Sequence, residues 1–205
     1  MDSLSNSAVE TAKIEVAACT RLLNNEGVLG YSGHVSKRLP DGDTLLIQAF
    51  DASRNDLSPE DLYIIDLDGN VLEGDPNARP VNELEIHAEI LRARSDINAV
   101  LHWHPEIATL FTMVEGADLV PMKNHAYRWS SGIPTHPESW HIDTKERGQA
   151  MVKTMGEHNA VLLRAHGAVI GAESIPALMV DAVHFDENAR PLYDASRLGT
   201  PTPRA

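Results

Sequence analysis

Five short apolar runs, each bounded by Asp, Asn, Gly, Pro or His, alternate along this chain with longer stretches patterned for helices. Such alternation restricts the fold to a layered α/β domain, because a sheet must bury its faces against helices. The runs are Thr44–Ala49, Leu62–Leu67, Ile97–His104, Asn159–Ala165 and Ala168–Gly171. Asp68-Gly69-Asn70 is a turn signal, so the second run leads into a hairpin through Val71-Leu-Glu-Gly74. Residues 8–25 carry Val9, Ile14, Ala17 and Leu22 near helical spacing, and Gly27 stops them. Residues 82–94 read as a helix capped by Asn82, with Ile86, Ile90 and Leu91 facing inward. Ser174 to Leu198 reads as a third helix with Pro176 in its first turn, and Pro105 can open a short one. With 205 residues and no repeat or linker, residues 1–205 are expected to form one domain.

Charge narrows the class of partner. A formal net charge of −13 argues against nucleic acid, since a phosphate backbone demands clustered Lys and Arg, and no cluster is present. An anionic membrane surface is disfavoured on the same ground. No apolar run approaches the roughly 20 residues that span a bilayer. The first twenty residues lack a basic region followed by an apolar core, so the expected location is the cytoplasm. Cys19, the only cysteine, reads as a small buried hydrophobe. The Gly199–Ala205 tail is proline-rich and reads as mobile.

His102-Trp103-His104 closes the third run. Side chains two apart on a strand share a face, so the two imidazoles make half of a metal site. His166 follows the fourth run and precedes Gly167, which leaves room for a ligand to approach. Glu83 begins the helix before the His102 run. Each has an ordinary alternative, whether partly buried histidines, a turn, or a carboxylate favoured by the helix dipole. Taken by themselves, the residues leave a metal site and these ordinary roles both open.

These residues sit in a longer ordered set: Ser32-Gly33-His34-Val35-Ser36, Leu57 to Asn70, Glu83-x-x-x-His87, Asn98 to Pro105, and Leu163-Arg-Ala-His-Gly167. With that set the chain resembles the class II aldolase/adducin family over nearly its whole length. The resemblance implies a three-layer α/β/α sandwich around a mixed, largely antiparallel sheet. It implies His102, His104 and His166 as metal ligands and Glu83 as the acid/base carboxylate, which can also sit on the metal. His87 falls outside that set and reads as structural. Family members are commonly homotetramers with sites at subunit interfaces, and they use manganese or zinc; iron or cobalt would also suit three histidines.

The chain departs from the sugar-phosphate aldolases of that family. His34 stands where they usually have Asn, Phe50-Asp51 replaces a Thr-Gly pair, and Val81-Asn82 replaces a Ser-Ser pair. Each change removes a donor or backbone freedom from a phosphate cradle. The Ser-Gly-His-Val-Ser variant and the Glu187-Asn-Ala-Arg…Leu198-Gly tail resemble the decarboxylase branch, which takes hydroxylated aromatic, pyridine or muconate-type carboxylates. That resemblance implies a small-molecule carboxylate as partner, with Gly33, His34 and Arg128 as substrate contacts and His34 as a second catalytic group. Arg54 or Arg79 could supply the charge instead, and Lys123 to Trp129 is expected to line a pocket. Decarboxylation and aldol cleavage both leave an electron pair on carbon, which a cation on an adjacent oxygen stabilises. The alternatives are a class II aldolase for a non-phosphorylated hydroxy acid, an iron-dependent oxygenase on the same scaffold, or a non-catalytic adducin-like interaction domain.

Overall fold

The computed structural model describes residues 3–75 and 79–203. Among the described residues five α-helices, α1 (Ser3–Asn25), α2 (Leu84–Ala93), α3 (Glu106–Leu110), α4 (Lys145–Met155) and α5 (Ile175–Leu198), flank one sheet. Its strands are β1 (His34–Arg38), β2 (Thr44–Gln48), β3 (Leu62–Asp66), β4 (Val71–Glu73), β5 (Ala99–Trp103), β6 (Thr135–His136), β7 (Ala160–Leu163) and β8 (Gly167–Ala172). They lie in the order β4-β3-β2-β1-β5-β8-β7-β6. Neighbours are antiparallel except β6 and β7, so the sheet is mixed and largely antiparallel, as expected.

The period of two along each strand divides the interior into two cores. One face sends Val35, Leu46, Leu101, Trp103 and Ile170 against Val16 and Leu23 of α1 and Leu178 and Phe185 of α5. The other sends Leu45, Ile47, Val100, Val161 and Val169 against Ile86 and Ile90 of α2 and Met151 of α4. These are the three layers. Cys19 is buried in the first core, and burial pushes its thiol up to about 12, consistent with a packing role.

Several local expectations change. Asn82 does not cap α2: Glu83 occupies that position without a side-chain cap bond, and Asn82 accepts from Arg79 at 2.7 Å. Strand β1 was legible only as a motif, because its His, Ser, Lys and Arg carry no apolar alternation. Helix α4 was not expected at all, since its buried residues are only Gly148, Met151 and Met155. Gly148 brings it close to α2, where an added Cβ would stand 2.8 Å from the Glu85 carbonyl. No helix among the described residues is long and apolar enough to cross a membrane.

Candidate metal centre

Strand register creates the site. His34 on β1 pairs directly with His102 on β5, so both imidazoles rise from the α2 face of the sheet. His104 lies just past the end of β5, and His166 occupies the three-residue turn that joins β7 to β8. That turn is held by Ala165 in the left-handed region, φ 51°. Gly167 is required by space as well: a Cβ there would lie 2.4 Å from the Trp103 carbonyl oxygen and 2.8 Å from the His104 ring. The glycine after His166 therefore lets β8 close against the two other histidines. Gly33, at φ 98°, has the same function before β1, where a Cβ would meet the His102 carbonyl at 3.0 Å.

One donor atom from each of Glu83, His102, His104 and His166 lies within 4.8 Å of all the others. The Glu83 carboxylate is 3.3 Å from His102 Nε2 and 3.4 Å from His166 Nε2. Ligands about 2.1 Å from a tetrahedral ion stand about 3.4 Å apart, so these spacings suit a common cation. The donor chemistry fits too. His102 Nδ1 lies 3.0 Å from the Ala168 carbonyl, which can only accept, so Nδ1 carries the proton and Nε2 offers its lone pair. Ser32 Oγ engages His104 Nδ1 at 3.0 Å, leaving His104 Nε2 for the centre. His102 Nε2 and both ring nitrogens of His166 are buried without any hydrogen-bond partner among the described residues. Leaving such atoms unmatched costs about 1–3 kcal/mol each, a cost that a bound cation would offset.

Burial opposes charge on Glu83, yet the neighbouring His102 and His166 prevail and hold it well below the usual carboxylate range. The backbone amide of Ile142 donates to Glu83 Oε1 at 3.0 Å and fixes the carboxylate. Burial, with His102 and His166 nearby, lowers His104 to about 4, so it is neutral and ready to ligate at neutral pH.

Other expected residues fall as follows. His34 is buried beside His102, ring centroids 5.2 Å apart. Arg128 has its charge already matched, with Nε 2.8 Å from Asp181 and a terminal nitrogen 3.1 Å from Glu173 on the α5 side. Arg54 donates to the carbonyls of Gly33 and Ala52, and Arg79 stacks on Phe50 at 4.0 Å. Lys123 lines a cavity of about 670 Å³ beside His104, while Ala126 and Trp129 are core residues. Sequence reasoning missed His141. Its Nδ1 is 3.5 Å from Glu83 Oε1 and its side chain is 74% exposed, so it borders the centre from the solvent side. Nothing in the local sequence around His141 marks it.

The sequence pattern of the class II aldolase and adducin N-terminal domain matches residues 14–193. The chain belongs to that family. A 3,4-dihydroxyphthalate decarboxylase of Arthrobacter keyseri is 32% identical over 191 residues, covering 85% of this chain and 75% of the relative. A 5-deoxy-D-ribulose 1-phosphate aldolase of Bacillus thuringiensis is 31% identical over 143 residues, covering 70% and 65%. An aldolase II superfamily protein from Pseudomonas syringae superimposes with a TM-score of 0.84 at 24% identity, over 96% of this chain and 82% of that one. Both named relatives are carbon–carbon lyases, and further dihydroxyphthalate decarboxylases are also similar to this chain.

The buried imidazoles make a prediction for stability. Burial lowers His87 to about 3, far below the ordinary value for an imidazole. Between those values the unfolded chain binds a proton that the folded chain refuses, so stability falls as pH falls. The slope from this residue is about 1.4 kcal/mol per pH unit. Urea unfolding at pH 6, 5 and 4 with chelator present should show this loss, and His87→Gln should flatten it.

Proposed function

We propose that this chain is a divalent-metal-dependent decarboxylase for a hydroxylated aromatic, pyridine or muconate-type carboxylate. In this reading His102, His104 and His166 hold the ion, manganese or zinc in preference to iron or cobalt. The observation that carries it is the convergence of buried, unpartnered imidazole nitrogens on one carboxylate, in a chain whose relatives include dihydroxyphthalate decarboxylases. When bound, the cation supplies Lewis-acid stabilisation of the electron pair left as the carbon–carbon bond breaks.

Glu83 is the proton carrier. Ionised at rest, it takes the proton of the substrate's ring hydroxyl and delivers it to the ring carbon that bears the departing carboxylate, leaving the ring oxygen as an oxyanion. The pair from the broken bond returns to the ring, and carbon dioxide leaves. The amide of Ile142 keeps Glu83 aimed while it exchanges that proton. His34 and Gly33 form the substrate-facing edge, with His34 as hydrogen-bond donor to a carboxylate and second catalytic group. Arg128, paired with Glu173 and Asp181 within the chain, would have to exchange one of those partners to meet a substrate carboxylate. We take residues 1–205 to act as one domain in a cytoplasmic homotetramer with sites at its interfaces.

A second reading is aldol cleavage of a non-phosphorylated hydroxy acid; the sugar 1-phosphate aldolase relative supports the reaction type, though not that substrate. Product analysis separates the two. Incubation with dihydroxyphthalates and hydroxypyridine dicarboxylates should release carbon dioxide and the decarboxylated ring in equal amounts. A trapped aldehyde without carbon dioxide, from these or from hydroxy acids, would establish the aldolase instead.

A further inference from the structure

His34 and His87 share a hydrogen bond that no metal ligand explains. His34 Nδ1 lies 2.7 Å from His87 Nε2, and His87 Nδ1 lies 2.6 Å from Ser36 Oγ. Ser36 and His87 are fully buried, and His34 retains 6% exposure. The three residues come from two elements. His34 and Ser36 are two apart on β1 and so share its face, while His87 rises from α2 to bridge them. The N···N hydrogen bond itself requires a lone pair on one of the two facing nitrogens, so the two rings are not both fully protonated.

Proton counting along this row has one solution. A neutral imidazole donates from one nitrogen and accepts at the other. Among the described residues, His87 is the only hydrogen-bond partner of the Ser36 side chain. A buried hydroxyl proton that points elsewhere would be unsatisfied, at a cost larger than the bond itself. Ser36 therefore donates to His87 Nδ1. His87 then carries its proton on Nε2 and donates to His34 Nδ1. His34 in turn must carry its proton on Nε2, the edge facing away from His87, which has no partner among the described residues.

We propose that Ser36 and His87 are positioning residues that fix His34 as a hydrogen-bond donor, selecting a substrate with an acceptor oxygen, a carboxylate, at that edge. The selection rests on the functional reading above, but the tautomer does not. A reversed row would present a lone pair at the same edge and repel a carboxylate. The hydroxyl of Ser36 thus sets the sign of a contact made two hydrogen bonds away.

Long-range proton–nitrogen correlation spectra of the ¹⁵N-histidine-labelled full chain, with zinc added, read the tautomers directly. Wild type should show His34 and His87 both protonated at Nε2. His87→Leu should release His34 into a mixture of tautomers, and Ser36→Ala should broaden the distribution in both rings. Alongside, KM for a dihydroxyphthalate should rise about tenfold in His87→Leu, with kcat changed less, as expected for one lost hydrogen bond to a charged group. Ser36→Thr, which restores the hydroxyl, should return the wild-type tautomer pattern. His34 protonated at Nδ1 in wild type would overturn the proposal, as would an Nε2 tautomer indifferent to both variants. Tautomers as predicted with no decarboxylation of any substrate would leave the relay standing and remove the functional reading.

Discussion

Turnover of a hydroxyaromatic carboxylate should fall about 10²–10⁴-fold in Glu83→Gln, the range expected when a positioned proton carrier is lost. The substitution is chosen to leave everything else in place. An amide keeps the oxygen that accepts from Ile142, so the start of α2 and the 139–143 loop should remain joined. It also keeps the volume of a side chain that is only 7% exposed. What it removes is the ability to take and give a proton. The three histidines remain, so metal should still bind. Steady-state rates, run beside elemental analysis of the same sample, check both halves. Loss of rate with metal retained assigns the proton to Glu83, and an unimpaired rate would reassign it.

The second large effect is expected in His166→Ala. Metal affinity should drop by more than the roughly 10–100-fold that follows loss of a hydrogen-bonding partner behind a ligand, and carbon dioxide release should disappear with it. The residue is suited to this test because the turn does not depend on its imidazole. Neither ring nitrogen makes a hydrogen bond among the described residues, Nε2 facing only the Glu83 carboxylate at 3.4 Å, and the backbone is held by the His166 amide to the Leu163 carbonyl at 3.1 Å. Gly167 and Ala165 retain their conformations with alanine between them. His102→Ala would be harder to interpret: the side chain is fully buried and satisfies the Ala168 carbonyl, so its removal damages β8 packing as well as the centre. Titration of metal-free protein with zinc or manganese, with circular dichroism as a control for fold, provides the measurement.

Much of this arrangement was legible in the sequence because it follows short periods. The five apolar runs all contribute strands, and the alternation within Ile97–His104 places His102 opposite the Leu101–Trp103 face. The Asp68-Gly69-Asn70 turn was readable because Asp66 and Gly69 satisfy a tight hairpin locally; Asp66 Oδ1 accepts from the Asn70 amide at 2.8 Å. What escaped depends on residues far apart in the chain. Strand β1 is polar at alternate positions because His34 and Ser36 point into a hydrogen-bonded row rather than an apolar core. Helix α4 has a weak apolar face because Gly148 packs against the α2 backbone. His141 reaches Glu83 only through the loop that precedes α4. Asn82 looked like a helix cap from local pattern, but a neighbouring arginine engages its side chain. Gly167 was read as space for a ligand, whereas its missing Cβ makes room for His102 and His104 themselves.

X-ray absorption at the edge of the metal retained by the purified chain tests the central claim most directly. The account predicts a bound divalent ion with three imidazole nitrogens near 2.0–2.1 Å and oxygen in the remaining positions, and the loss of one imidazole signal in His166→Ala. A chain that binds neither zinc nor manganese after reconstitution, or an ion whose spectrum lacks imidazole, would contradict it.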